Sequence, residues 1–253
     1  MGKTPLPSEW RAGVALVQNG DVPQTGTVVA NYSSTPSCER HGGWGGARNR
    51  ADRISDGLTD AQVASMIDAA AFALATGRTF QRHWTIHYGK AGIAETDGAR
   101  FVSRVLALAS KQARREGGTL SALWVRERAS EKGEHVHILL HLPAAMRLHG
   151  RTRRWIEAAG GTWKPGVSRV CIIGGRLAKP EANAREHQAL NAENVLGYFL
   201  KAASEQTGKR MGLTRAGQRG RIVGKRCGWT QNIGKAARMG GNEKATGHDS
   251  GRR

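Results

Sequence analysis

The sequence predicts an α+β fold in which an antiparallel sheet of about five strands is flanked by helices. Two observations predict it. Strand and helix periodicities follow one another between residues 79 and 203 in the order β-α-β-β-α-β-α. Two of the strands are separated by five residues that include a glycine, which is typical of an antiparallel hairpin. Helices that cover such a sheet bury a core between the layers.

The spacing of apolar residues places each element in turn. A first helix begins near Asp56, where Thr59 can cap it and apolar side chains recur every three or four residues. Strands are expected at residues 79–88, 120–128, 134–142 and 167–174, with a short fifth strand at 221–225. Further helices are expected at residues 98–117, 144–159 and 191–203.

Charge is the strongest signal in the composition. The chain has 39 Lys and Arg against 20 Asp and Glu, which gives a formal net charge of +19. Such a surplus favours a polyanionic partner, with nucleic acid as the first expectation and an acidic membrane surface as the second. Composition also divides the chain into a flexible arm over residues 1–56, a folded domain over 57–203 and a basic, Gly- and Arg-rich tail over 204–253.

Other features of the sequence bear on its compartment. No apolar run approaches the roughly 18–20 residues that a membrane-spanning helix needs, and the first residues lack the apolar stretch of a secretory signal. The three cysteines (Cys38, Cys171 and Cys227) are scattered and form no Cys-x-x-Cys pair, which fits a reducing environment. We therefore expect a cytoplasmic protein with no membrane partner.

The second strand of the hairpin carries the most informative residues. Side chains alternate between the two faces of a strand, so His135, His137 and His141 share one face while Val136 and Ile138 point into the core. Two imidazoles two residues apart on a strand are close enough to bind one metal ion.

A carboxylate is expected beside these imidazoles. If the hairpin turn spans residues 129–133, Glu127 lies directly opposite His135 on the same face. Glu127, His135 and His137 can then hold a divalent ion and leave positions open for a substrate oxygen. The alternative for Glu127 is a surface salt bridge with a neighbouring arginine.

The last predicted helix supplies a candidate nucleophile. Tyr198 and Lys201 are three residues apart and share a helix face, while Val195 and Phe199 form another face suited to packing on the sheet. A tyrosine beside an ammonium group can act as a nucleophile, because the positive charge favours the phenolate. The alternative is a tyrosine that only packs.

In this order the two motifs resemble the HUH endonuclease superfamily, in particular single-tyrosine initiators of rolling-circle replication (Rep proteins). The resemblance covers about residues 78–203. It rests on His135-Val136-His137 on a strand and on Tyr198-Phe199-Leu200-Lys201 on a helix some sixty residues later. Glu127, eight residues before His135, matches the position at which many Rep proteins carry their third metal ligand. Residues 82–88 stand where the first Rep motif is found.

The resemblance implies the HUH fold, whose β-α-β-β-α-β order is also RRM-like, and an enzyme that nicks and joins single-stranded DNA. Tyr198 would form a 5′-phosphotyrosine intermediate, and Lys201 would stabilise charge or give a proton to the leaving oxygen. The implied ion is Mg²⁺ or Mn²⁺. The implied role is to initiate rolling-circle replication of a plasmid or phage on single-stranded or origin hairpin DNA. The chain has no Gly-x-x-x-x-Gly-Lys-Ser/Thr motif, so unwinding would depend on a host helicase and synthesis on a host polymerase.

Basic residues outside the candidate site are expected to contact DNA phosphates. The candidates are Arg151, Arg153 and Arg154 in the predicted helix 144–159, and Lys225 and Arg226 in the predicted tail. Four tryptophans could stack on bases or, alternatively, pack in the core: Trp84, Trp124, Trp155 and Trp163.

Two other functions remain open. A mobilisation relaxase or a single-tyrosine transposase would use the same chemistry. His141 could then replace Glu127 as third ligand, although it lies about 13 Å beyond His137 along the strand. A non-catalytic, RRM-like RNA-binding protein would also suit the strand order and the charge. The strands lack the aromatic-rich motif of that class, which favours the nuclease.

Overall fold

The computed structural model describes residues 52–173, 184–213, 216 and 220–245. Seven strands lie in this part of the chain: β1 (Ile54–Ser55), β2 (Arg82–His87), β3 (Ser121–Ala129), β4 (Gly133–His141), β5 (Ser168–Ile172), β6 (Ile222–Val223) and β7 (Cys227–Trp229). Five of them form one antiparallel sheet in the order β5-β2-β4-β3-β7, and β1 pairs with β6 separately. The predicted fold class, an antiparallel five-stranded sheet flanked by helices, is confirmed.

Seven helices accompany these strands: α1 (Asp60–Ala75), α2 (Tyr88–Ala91), α3 (Gly98–Arg115), α4 (Arg151–Ala158), α5 (Ala184–Leu200), α6 (Glu205–Arg210) and α7 (Lys235–Ala245). The start of α1 shows how the local sequence sets a boundary. The Thr59 hydroxyl accepts a hydrogen bond from the backbone N–H of Gln62, and the Gln62 side chain accepts one from the backbone of Thr59. This capping box satisfies two of the free N–H groups of the first turn. None of the described helices is long and apolar enough to span a membrane.

The sheet has two buried faces, which differ in what covers them. The back face carries Trp84, Val136 and Ile138, which pack under α3 and α4. The front face carries Leu123, Val125 and Leu139, which pack under α1 and α5. The front face is also the face of His135 and His137, so apolar packing surrounds the candidate ligands on one side.

The folded unit extends beyond the predicted boundary at residue 203. Cys227 and Trp229 of β7 pair with Val125 and Leu123 of β3, so part of the predicted tail completes the sheet. The composition predicts a boundary there because glycine and arginine dominate the residues that follow, but a three-residue strand carries too little pattern to be recognised. Of the predicted arm, residues 1–51 lie outside the described residues, and Ile54–Ser55 form β1.

One predicted helix is shorter than expected. Residues 144–150 form two turns joined by an irregular segment, and α4 begins only at Arg151. Gly150, just before it, has a positive φ of 71°, a conformation that glycine adopts without steric cost but that a continuous helix does not allow. Pro143 ends β4 as expected, and the helix predicted from residue 191 already begins at Ala184.

Candidate active site

The hairpin between β3 and β4 positions the candidate ligands. Its register pairs Glu127 with His135 and Arg128 with Glu134, as the sequence predicts. Side chains that face each other across two antiparallel strands lie on the same face. Glu127, His135 and His137 therefore project together from the front face.

These three side chains form a compact, buried cluster. One oxygen of Glu127, Oε2, lies 3.8 Å from Nε2 of His135 and 3.8 Å from Nε2 of His137. One ligand atom from each residue lies within 4.8 Å of the other two, and each residue is only 5 % exposed. Among the described residues, this is the one group of three or more potential metal ligands that comes together.

The free atoms of the cluster fit a bound cation. Nε2 of His137 and Oε1 of Glu127 are buried and have no hydrogen-bond partner. Nδ1 of His135 lies 3.1 Å from the carbonyl oxygen of Gly133, to which it can donate, and this leaves Nε2 with a lone pair. Buried polar atoms without a partner are costly, and two imidazole nitrogens with a carboxylate form a donor set for a divalent metal.

Burial also sets the protonation state that metal binding needs. It lowers the pKa of His135 to about 4 and that of His137 to about 2, so both imidazoles are neutral at pH 7. Burial raises the pKa of Glu127, and the nearby Lys201 ammonium opposes this shift. Neutral imidazoles and a carboxylate are the ligand forms of these side chains.

The end of α5 brings the second motif to the same place. Nζ of Lys201 lies 3.0 Å from Oε2 of Glu127 and 3.7 Å from the centroid of the Tyr198 ring. The Tyr198 ring is half-buried and meets the His137 ring edge-on, with centroids 5.4 Å apart. Two motifs separated by some sixty residues therefore meet in one site, and Glu127 pairs with Lys201 rather than with a neighbouring arginine.

The site opens into a cavity of about 870 Å³. Its walls include the three candidate ligands, Tyr198 and Lys201. Three further cations also line it: Arg128, Lys132 and Arg169. A concave site lined by several cations favours an anionic substrate.

Strand β2 contributes residues that the sequence did not assign to the site. His83, Thr85 and His87 project from the front face and line the same cavity. His87 pairs across the strands with His135, and Thr85 with His137. The alternation of His83, Thr85 and His87 was a visible signal, but only the strand order places β2 next to β4.

Two other sequence predictions concern the histidine face and the tryptophans. His141 lies outside the cluster, and its Nδ1 atom is 3.0 Å from the carbonyl oxygen of Thr79. Three of the four tryptophans, Trp84, Trp124 and Trp155, are at most 7 % exposed and belong to the back-face core, against which the half-buried Trp163 packs. The first three are therefore packing residues rather than free stacking surfaces.

Only some of the basic residues that were predicted to contact phosphates are exposed. Arg226 is 1 % exposed, and its guanidinium donates to Ser55 and to the carbonyl oxygen of Gly220. Its role in this structure is to hold β1 near β7, so its assignment as a DNA contact is not supported by its position. Lys225 is exposed above the Trp124 ring, 5.6 Å from its centroid.

The α4 arginines lie on the back layer, across the sheet from the cavity. Arg151 pairs with Glu116 at 2.5 Å and Arg153 with Glu157 at 3.0 Å, whereas Arg154 is exposed. A stronger basic surface lies beside them on α3, which contains no acidic residue. Its exposed cations are Arg100, Arg104, Lys111, Arg114 and Arg115, and we call this set the α3 basic stripe.

Comparison with known proteins does not assign the chain to a family. No protein-family model, no curated protein and no solved structure matches it. The functional argument therefore depends on the geometry of the site.

Proposed function

We propose that this protein is a metal-dependent enzyme that nicks and joins single-stranded DNA through a 5′-phosphotyrosine intermediate. The observation that carries the proposal is the meeting of Tyr198 and Lys201 with Glu127, His135 and His137 in one cavity. A tyrosine, an ammonium group and a candidate metal site together could supply the nucleophile, the charge stabilisation and the Lewis acid for metal-assisted phosphoryl transfer to a side chain.

The candidate metal site supports this chemistry. A divalent ion held by Glu127, His135 and His137, with Mg²⁺ or Mn²⁺ as the proposed species, would supply a Lewis acid for a phosphate oxygen. The His135 and His137 lone pairs are available because burial keeps both rings neutral. Lys201 holds positive charge beside both Glu127 and the Tyr198 ring.

The bond changes balance without another reactant. The Tyr198 oxygen loses its proton and bonds to phosphorus, while the bond between phosphorus and the 3′ oxygen breaks. The leaving oxygen takes a proton from the Lys201 ammonium and becomes a free 3′-hydroxyl. The proton that Tyr198 loses restores the Lys201 ammonium, so no net proton is released or consumed. Because the phosphotyrosine keeps the phosphodiester energy, a 3′-hydroxyl can attack it and rejoin the strand.

The biological setting belongs to the same proposal. A nick that leaves a 3′-hydroxyl can prime a polymerase, and rejoining releases a circle, so we propose initiation of rolling-circle replication of a plasmid or phage. Single-stranded or origin hairpin DNA is the proposed substrate, and a host helicase and polymerase are the proposed partners. The net charge of +19 and the cations around the cavity support a polyanionic substrate.

The alternatives from the sequence are less well supported. An RRM-like RNA-binding protein stacks bases on aromatic residues of an exposed sheet face. Here apolar clusters cover the back face and part of the front face, and the strand residues that line the open part include no Phe, Tyr or Trp. A relaxase with a third histidine ligand would need His141 in the cluster, but the nearby third donor is Glu127. A transposase or relaxase that uses a glutamate ligand would share the proposed chemistry and differ in its DNA target.

Covalent capture of DNA tests the proposal. The protein is incubated with Mn²⁺ and a random pool of single-stranded oligonucleotides labelled at the 3′ end, and adducts that survive SDS are resolved on a gel. We expect an adduct with the wild type and none with Tyr198→Phe, because only the attacking oxygen is lost. Tyr88→Phe is the matched control: Tyr88 is buried on the back layer and donates to the carbonyl oxygen of Gly98.

The same assay can contradict the proposal in three ways. An adduct that persists in Tyr198→Phe would place the nucleophile elsewhere. An adduct that forms in EDTA would separate the chemistry from the candidate metal site. The absence of any adduct from a pool that the wild type binds would favour a binding protein without nuclease activity.

A further inference from the structure

His83 and Thr85 contact the far side of a candidate metal ligand. Nε2 of His83 and Oγ1 of Thr85 each lie 3.0 Å from Nδ1 of His137. The same two atoms of His83 and Thr85 lie 3.4 Å apart. Three polar atoms on two neighbouring strands thus form a closed triangle behind the cluster.

These contacts bear on which nitrogen of His137 carries its proton. A neutral imidazole carries one proton, so the nitrogen without it has the lone pair that can bind a metal. Nε2 of His137 points towards Glu127 and has no hydrogen-bond partner, whereas Nδ1 has two. A proton on Nδ1, donated to His83 or Thr85, leaves the lone pair on Nε2.

We propose that His83 and Thr85 are positioning residues that hold His137 in the tautomer and orientation needed to bind the metal. The inference rests on the proposed metal site but not on DNA cleavage. The two residues can act together: the Thr85 hydroxyl accepts from Nδ1 of His137 and donates its own hydrogen to Nε2 of His83. Partners of this kind typically change metal affinity by about 10–100-fold when they are removed.

The geometry assigns His83 a positioning role rather than that of a fourth ligand. Its Nε2 atom faces Nδ1 of His137 rather than the free atoms of the cluster. Its ring also packs against the α5 side, with its centroid 5.3 Å from the Phe199 ring and 6.4 Å from the Tyr198 ring. His83 therefore links the ligand strand to the helix that carries the proposed nucleophile.

Two measurements on the whole protein test the inference. The first is a long-range proton–nitrogen NMR spectrum of the metal-free wild type, in which the ring nitrogens of His137 report its tautomer. We expect the proton on Nδ1. A proton predominantly on Nε2 would overturn the inference directly, whether or not the protein cleaves DNA.

The second measurement is Mn²⁺ affinity by calorimetry. We expect the double variant His83→Phe/Thr85→Val to bind Mn²⁺ about 10–100-fold more weakly than the wild type. The new side chains have similar shapes, but both acceptors for the Nδ1 hydrogen of His137 are removed. His83→Gln keeps an acceptor oxygen and should recover part of the affinity. His141→Phe, on the same face but outside the cluster, is the control and should bind Mn²⁺ as the wild type does.

The outcomes separate this inference from the proposed function. A folded double variant with wild-type Mn²⁺ affinity would overturn the positioning role and leave the nuclease proposal intact. A wild type that binds Mn²⁺ with the expected variant effects but gives no DNA adduct would keep the positioning role and reject the nuclease. A wild type that does not bind Mn²⁺ would overturn both.

Discussion

The front and back faces of the sheet are formed by the same strands. Both faces bury charged side chains, but these side chains have different roles. On the back face, Arg126 pairs with Glu134 and also donates to the carbonyl oxygens of Glu95, Val223 and Lys225. The neighbouring positions of the same strands point to the front face. There the Glu127 carboxylate and several imidazoles meet the Lys201 ammonium, which follows the end of α5.

Two buried atoms of the front face have no hydrogen-bond partner in the fold. Oε1 of Glu127 and Nε2 of His137 remain without partners, whereas the Arg126 guanidinium ties the segment around β6 to the sheet. Buried polar atoms without a partner cost stability unless a ligand, an ion or a water satisfies them, and Oε2 of Glu134 on the back face is also without a partner. The Arg126 guanidinium therefore serves architecture, whereas the proposed metal ion would satisfy the two unpaired atoms of the front face.

The largest expected effect is on the back face, where packing dominates. Trp84 is completely buried and donates to the Ser168 hydroxyl at 2.7 Å. Trp84→Ala should lower the free energy of unfolding by about 3–5 kcal/mol, because it leaves a large cavity. Urea denaturation measures this, with the half-buried Trp163→Ala as a control of smaller effect. A loss below about 1 kcal/mol would contradict the described core.

On the front face, a paired substitution should separate stability from function. Glu127→Leu alone leaves Lys201 buried without its partner and should destabilise the protein by about 3–5 kcal/mol. Adding Lys201→Met should recover this loss and make the double variant up to a few kcal/mol more stable than the wild type in EDTA. The double variant should no longer bind Mn²⁺. If it is less stable than Glu127→Leu, the Glu127–Lys201 pair is not the reason for the instability.

The buried histidines of the front face should make the free energy of unfolding depend on pH. Burial lowers the pKa of His83 and His135 from 6.5 to about 4, and that of His137 to about 2. Below pH 6.5 the unfolded chain takes up protons on these residues that the folded chain does not, so their contribution to stability falls between pH 7 and pH 4. Buried Glu127 and Glu134 have raised pKa values and act in the opposite direction.

A variant isolates the histidine contribution from that of the carboxyls. The urea midpoint of the wild type and of His137→Phe is compared at pH 7.5 and pH 5.0. We expect the drop on acidification to be smaller in His137→Phe, because that variant has no buried imidazole to protonate at this position. His149→Phe, an exposed position, is the control. An equal drop in all three proteins would contradict a buried neutral His137.

The smallest expected effect concerns the α3 basic stripe on the outside of the back layer. If it contacts phosphates, the double variant Arg104→Ala/Lys111→Ala should flatten the slope of log affinity against log salt for single-stranded DNA by about 1.4. Arg153→Ala is the control with a smaller effect, because Arg153 already pairs with Glu157. An unchanged slope would restrict DNA contacts to the front of the molecule.

The hairpin shows how much of the site could be predicted from the sequence. Its short turn sets the register of β3 against β4, and strand alternation then places Glu127, His135 and His137 on one face. Both rules act within about fifteen residues, so they need no knowledge of the rest of the fold. The same reasoning could not find His83 and Thr85, since β2 reaches β4 only through a pairing across more than fifty residues.

The fold class, the capped start of α1 and the candidate ligand set could be predicted because they depend on local periodicity and turn chemistry, and Tyr198 because it shares a helix face with Lys201. Only the tertiary structure decided that β7 completes the sheet, that Arg226 is buried and that Lys201 reaches Glu127. The physical reason is that a side chain's exposure and partners depend on which distant elements pack against it. A basic residue that the sequence predicts to be exposed can instead be buried and hydrogen-bonded within the fold when distant segments pack around it.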